Sequence, residues 1–136
     1  MAGYSATPLW KKLGYTAGLE ALVVNGPADY AKRLALPAEM NVVWRARAAP
    51  GMRFVHVFAS EAAALEKQLA KLRKEIAPDG VVWVSWPKKA SGARTDLTDN
   101  QIRAVALPMG YVDIKVCAVD ETWSGLKLMI RRTERK

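Results

Sequence analysis

Apolar positions in this chain fall into compact runs and spaced stripes that alternate from Leu19 to Gly110. Leu19 to Val24 is a compact apolar run of the kind a buried strand shows, and Asn25-Gly26-Pro27 breaks it. Ahead of it, Thr7 and Pro8 read as a cap and first-turn proline for a short basic helix, Leu9 to Leu13, stopped by Gly14. A short helix is predicted over Ala28 to Leu34, then strands over Asn41 to Arg45 and Arg53 to Phe58. The clearest stripe is Ala62, Leu65, Leu69, Leu72 and Ile76, which predicts a helix from Glu61 to Ile76 capped by Ser60. Pro78-Asp79-Gly80 should stop that helix and lead into a strand over Val81 to Trp86.

A polar connection from Pro87 to Leu97 follows. Thr98 and Gln101 then form a capping box, with Leu97 and Ile102 placed as its hydrophobic staple. Ile102, Val105, Ala106 and Met109 supply the buried stripe, and Pro108 must distort the last turn before Gly110. The period then changes to two. Val112, Ile114, Val116 and Ala118 alternate with polar residues, as do Leu126, Leu128 and Ile130, so residues 112–130 read as a β-hairpin turning through Asp120 to Gly125.

Strand and helix thus alternate before a terminal hairpin. This order predicts an α/β domain of Rossmann-like type: a mostly parallel sheet, helices on both faces, and a C-terminal antiparallel hairpin. Length supports one domain over residues 1–136, with Met1 to Ala6 as a tether and residues 133–136 as a basic tail. From about residue 18 to 132 the order of elements resembles the C-terminal part of the S-adenosylmethionine-dependent methyltransferase fold. Short signatures carry a second resemblance. Lys12-Leu13-Gly14, Pro78-Asp79-Gly80-Val81-Val82-Trp83, Trp86-Pro87-Lys88-Lys89 and Trp123-Ser124-Gly125-Leu126 are similar to a family of small bacterial proteins classed as a domain of unknown function. That resemblance implies one compact domain and brings no activity with it.

Composition removes several classes of chemistry. One cysteine and one histidine exclude a disulfide framework and the usual zinc clusters, and with that histidine in the middle of an apolar strand no Ser–His–Asp or Cys–His arrangement can be argued. No apolar run reaches the length of a membrane span, and no secretory pattern opens the chain, so a cytoplasmic address is expected. The net charge of +8 leaves an anionic partner in view.

In such folds ligands sit beyond the carboxyl ends of the strands. After the first strand stand Asn25 and Gly26, but only one glycine is present, Pro27 lacks an N–H and Asp29 is acidic. Arg45 and Arg47 stand where a carboxylate would bind ribose hydroxyls. Asn25, Gly26 and Arg45 are therefore a weakened cofactor set. No bound cofactor is expected, and S-adenosylmethionine enters only through the fold resemblance. Lys88, Lys89, Ser91 and Arg94, on a long loop at the ligand edge, form the leading candidate site, for an anion. His56 reads as a hydrogen-bonded core residue, Asp120 and Glu121 as turn residues, and Cys117 as structural or incidental. Trp83 and Trp86 should face opposite sides of the sheet, while Trp10 and Trp44 are candidates for exposed indoles. The reading placed first is a non-catalytic binding or regulatory module for an anionic ligand. A divergent S-adenosylmethionine-dependent methyltransferase and a nucleic-acid binder are the alternatives, and a homodimer across a sheet edge is open.

Overall fold

The computed structural model describes residues 7–135; the expected tether, Met1 to Ala6, and Lys136 lie outside them. The chain runs α1 (Leu9–Leu13), β1 (Glu20–Val24), α2 (Tyr30–Leu34), β2 (Val43–Arg45), β3 (Met52–Phe58), α3 (Ala62–Glu75), β4 (Ile76–Pro87), α4 (Asp99–Ala106), β5 (Tyr111–Ala118) and β6 (Trp123–Ile130). One sheet has the order β2-β1-β3-β4-β6-β5. Neighbours from β2 to β4 are parallel, and β6 lies antiparallel between β4 and β5. This is the mostly parallel, hairpin-closed α/β architecture that the alternation of periods predicts.

Each face of the sheet carries its own core. On one, the α3 stripe Leu65, Leu69 and Leu72 and the α4 residues Ile102 and Ala106 pack on Val55, Val57, Val82, Val84 and Trp86. On the other, Leu13, Tyr15, Tyr30 and Leu34 pack on Ala21, Phe54, Phe58 and Trp83. Trp83 and Trp86 do face opposite sides, as their odd spacing requires. Both sides anchor through polar handles: Trp83 Nε1–H donates to the Leu13 carbonyl at 2.8 Å, and Tyr111 O–H donates to the Leu69 carbonyl at 2.7 Å.

Local departures from the sequence reading have identifiable causes. Helix α3 ends at Glu75, because Ile76 already has extended dihedrals (φ −72°, ψ 153°) and pairs with Met52. Pro78, Asp79 and Gly80 therefore lie inside β4, where the register slips before Phe54 pairs with Val81. A Cβ on Gly80 would stand 3.0 Å from the carbonyls of Ala77 and Met52, so backbone packs where a turn was expected. The N-terminus of α3 is not capped by Ser60. Asp96, from the loop before α4, accepts the Ala62 N–H at 2.8 Å, and Thr95 Oγ1 donates to the Ser60 carbonyl at 2.7 Å. A cap supplied from a distant loop leaves no local pattern. Thr98 does cap α4, accepting the Gln101 N–H at 3.1 Å. The predicted distortion appears as a 3₁₀ turn over Leu107–Met109 that ends at Gly110, φ +98°.

The sheet ends on β2 and β5. Val43 and Trp44 are exposed on the first, and Ile114 and Val116 on the second. Among the described residues no helix is long and apolar enough to cross a membrane.

Candidate functional site

Because β1, β3 and β4 are parallel and β6 is antiparallel, three strand ends and the start of β6 share one edge; Pro87 pairs with Trp123 there. From β1 the chain passes to β2 on one side, and from β3 to β4 on the other, so the order reverses between β1 and β3. A crevice opens at such a reversal, because the two connections leave in opposite directions. Here it is a hollow of about 340 Å³ whose polar lining is Asn25, Ser60, Glu61 and Gln68, with Phe58 and Trp123 as aromatic walls. Asn25 turns the chain out of β1 with φ +58°, a conformation that asparagine tolerates better than most residues. Glu61 is the single charged residue in the lining, so the hollow is negative.

Trp123 is held in place by Asp120. One Asp120 carboxylate oxygen accepts the N–H groups of Thr122 and Trp123, both at 2.8 Å, and the other pairs with Arg33 from α2. The Lys88 ammonium donates to the Asp120 carbonyl at 2.6 Å. Trp123 then meets Phe58 edge-on, with centroids 5.0 Å apart. Turn, α2 and the end of β4 thereby brace one wall of the hollow.

Phe58 stacks on His56, with centroids 4.3 Å apart, and His56 belongs to a buried polar chain. Tyr15 and Tyr30 hydroxyls are 2.6 Å apart, Tyr30 Oη is 2.8 Å from His56 Nδ1, and His56 Nε2 is 2.7 Å from Ser85 Oγ. Burial drives the His56 pKa down to about 3, so the imidazole is neutral. Burial likewise raises both tyrosines well above the ordinary phenol range. His56 and Ser85 are fully buried, so this is core hydrogen bonding, as expected for His56, rather than a reactive serine–histidine pair. Cys117 is also pushed up by burial and stays a thiol.

The sequence-predicted residues separate in space. Asn25 lines the hollow, but Gly26 lies on the α2 side, in another recess of about 350 Å³ with Pro27, Tyr30 and Trp44. An added Cβ at Gly26 would lie 2.4 Å from Val23 Cγ1, so its glycine serves a close approach. Arg45 is exposed and lines neither recess, whereas Arg47 and Lys71 line a smaller hollow of about 200 Å³ that shares Gln68 with the first. In the long loop, Lys88 is committed to the hairpin turn. Ser91 closes a local turn by donating to the Lys88 carbonyl at 2.7 Å, and Lys89 and Arg94 are exposed. None of these four lines the reversal-point hollow. Thr95 and Asp96 explain the loop's length, since it reaches back to cap α3.

Sequence alone does not mark Glu61, Gln68 and Trp123 as a site. Only the strand order brings them together, and the signal available was that β3 must be the strand across the reversal.

No family model and no curated protein sequence matches the chain. Solved structures do match its fold. A SAM-dependent methyltransferase from Aquifex aeolicus is similar at 16% identity and a TM-score of 0.57, over 88% of this chain and 86% of that one. The N-methyltransferase NodS from Bradyrhizobium japonicum is similar at 11% identity and a TM-score of 0.61, over 90% and 93%. A fibrillarin pre-rRNA processing protein from Methanococcus jannaschii is similar at 7% identity and a TM-score of 0.55, over 97% and 71%. The methyltransferase-like fold is thereby established. These neighbours overturn the functional reading placed first, a non-catalytic module for an anion, and they give no support to the expectation of no cofactor.

Proposed function

We propose that the chain is a divergent S-adenosylmethionine-dependent methyltransferase domain that holds its methyl donor in the hollow between the ends of β1 and β3. One observation carries the reading: the order β2-β1-β3-β4-β6-β5 reverses where Glu61 makes a cleft negative and Trp123 gives it an aromatic wall. The donor set suits the net positive charge of this group, which bears a sulfonium and an ammonium against one carboxylate. A carboxylate and an aromatic face favour cations, and no Lys or Arg lines this hollow. Its volume of about 340 Å³ lies within the range of roughly 300–1,000 Å³ usual for small-molecule sites.

Glu61 would hold the cationic centre, Asn25 and Gln68 would supply amide donors and acceptors, and Ser60 a hydroxyl. The bound donor supplies an electrophilic methyl on a cationic sulfur. The chain's own part is to exclude water on the Phe58–Trp123 side and to orient the group through these polar residues. At the end of β2 the pattern departs from a ribose-binding acid, with Arg45 exposed and Arg47 beside Lys71 in the adjoining hollow. The sugar is therefore not held by a carboxylate at that position.

Glu61 makes no side-chain capping bond to α3, so Glu61→Gln should leave the fold intact. Calorimetry with the whole chain tests its role. Glu61→Gln should weaken S-adenosylmethionine by about three- to tenfold and S-adenosylhomocysteine, whose sulfur is neutral, by less. Equal losses for both ligands would remove Glu61 from the role, and no binding of either at millimolar concentration would remove the function.

A further inference from the structure

At the opposite edge of the sheet the C-terminal residues fold back on the domain. Arg131, Arg132, Arg135 and Lys136 give the sequence its basic end, but residues 132–134 form a 3₁₀ turn against the end of α3 and the start of β4. Arg73 Nε–H donates to the Met109 carbonyl at 3.0 Å, and Arg135 Nε–H donates to the Ile130 carbonyl at 2.8 Å. A guanidinium fixed through Nε has its plane set while its two terminal nitrogens stay available. Two such groups border one hollow of about 480 Å³, together with Lys74 and the Thr133 hydroxyl. Ile76, Pro78 and Ile130 form its apolar floor.

Three cations face one carboxylate there, that of Glu134. Its oxygen stands 3.9 Å from an Arg73 terminal nitrogen, outside hydrogen-bond range, and its side chain is about half exposed. Glu134 thus neutralises the hollow loosely without filling it.

We propose that this hollow is a phosphate-binding site, separate from the cleft at the other edge and independent of the methyl-donor reading. A phosphate presents several acceptor oxygens and more than one negative charge. That matches two immobilised forks, an ammonium and a hydroxyl arriving from different elements, whereas a carboxylate occupies a single fork. The phosphate group belongs either to a small phosphorylated molecule or to a nucleic-acid backbone.

Inorganic phosphate titrated into the whole isotope-labelled chain, with sodium chloride balancing ionic strength, is the direct test. Saturable shifts are expected for amides of residues 73–76 and 130–135 and for Nε of Arg73 and Arg135. Lys74→Gln and Arg135→Gln should each weaken binding about fivefold or more, and Glu134→Gln should tighten it by about threefold. Thermal melting of the variants separates these effects from unfolding. Phosphoserine and a short single-stranded RNA form the two arms that identify the source. A monoester as tight as or tighter than RNA points to a small molecule, and RNA binding that is tighter, salt-steep and lost with Arg135→Gln points to a backbone phosphate. Shifts that chloride reproduces, shifts elsewhere in the fold, or affinities untouched by all three variants would overturn the proposal.

Discussion

Lowering the pH from 7 to 5 should destabilise this domain through His56. The chain has one histidine, and burial holds its folded-state pKa at about 3 against the ordinary 6.5. Well above pH 6.5 neither state carries the proton, so the group costs nothing. Below it the unfolded chain binds a proton that the native core refuses, and stability falls as pH drops from 6.5 toward 3. Between pH 7 and 5 the unfolded state gains about 2 kcal/mol from this proton. Asp29, Asp99 and Asp113 stay clear of the window, because their arginine partners hold them below the ordinary 3.8. Their contribution is present above that value and is lost only in stronger acid. Urea unfolding at pH 7 and pH 5 should show a drop of about 2 kcal/mol in the natural chain. In His56→Gln the pH-dependent part should shrink to a few tenths, whatever the variant costs at pH 7 through its broken bonds to Tyr30 and Ser85. An equal pH slope in both proteins would show that another group titrates and that His56 is not the source of the acid sensitivity.

Three further variants test the packing near the strand ends. Asp96→Ala should cost about 1 kcal/mol in chemical denaturation, because it removes the acceptor for the first N–H of α3, while Ser60→Ala should cost less. Gly26→Ala should destabilise by about 1–3 kcal/mol in a thermal melt, since its new methyl meets Val23, a β-branched side chain with little rotamer freedom; a neutral result would mean that the strand end yields easily.

Periodicity carried the fold a long way. The stripe Leu65, Leu69 and Leu72 and the alternation in β6 each have a repeat that one surface dictates, so the two-faced sheet could be read before its topology was known. Boundaries set by distant backbone were not legible. Gly80 reads as a turn residue, yet it lies in a strand because Met52 approaches it, and Asp96 caps a helix that begins far upstream in the sequence. The site was less legible for the same reason. Lys88 looks like a free ligand group from its position after a strand, but its ammonium is used on Asp120. Glu61 looks like an ordinary first-turn acid until the reversal between β1 and β3 places it across from Asn25.

Titration of S-adenosylmethionine into the isotope-labelled chain, with amide shifts read residue by residue, decides whether the cleft between β1 and β3 holds the methyl donor. Saturable binding is expected, with the largest shifts at Asn25, over residues 58–64 and at Trp123. No saturable shift at millimolar ligand, or shifts that avoid these residues, would contradict that placement.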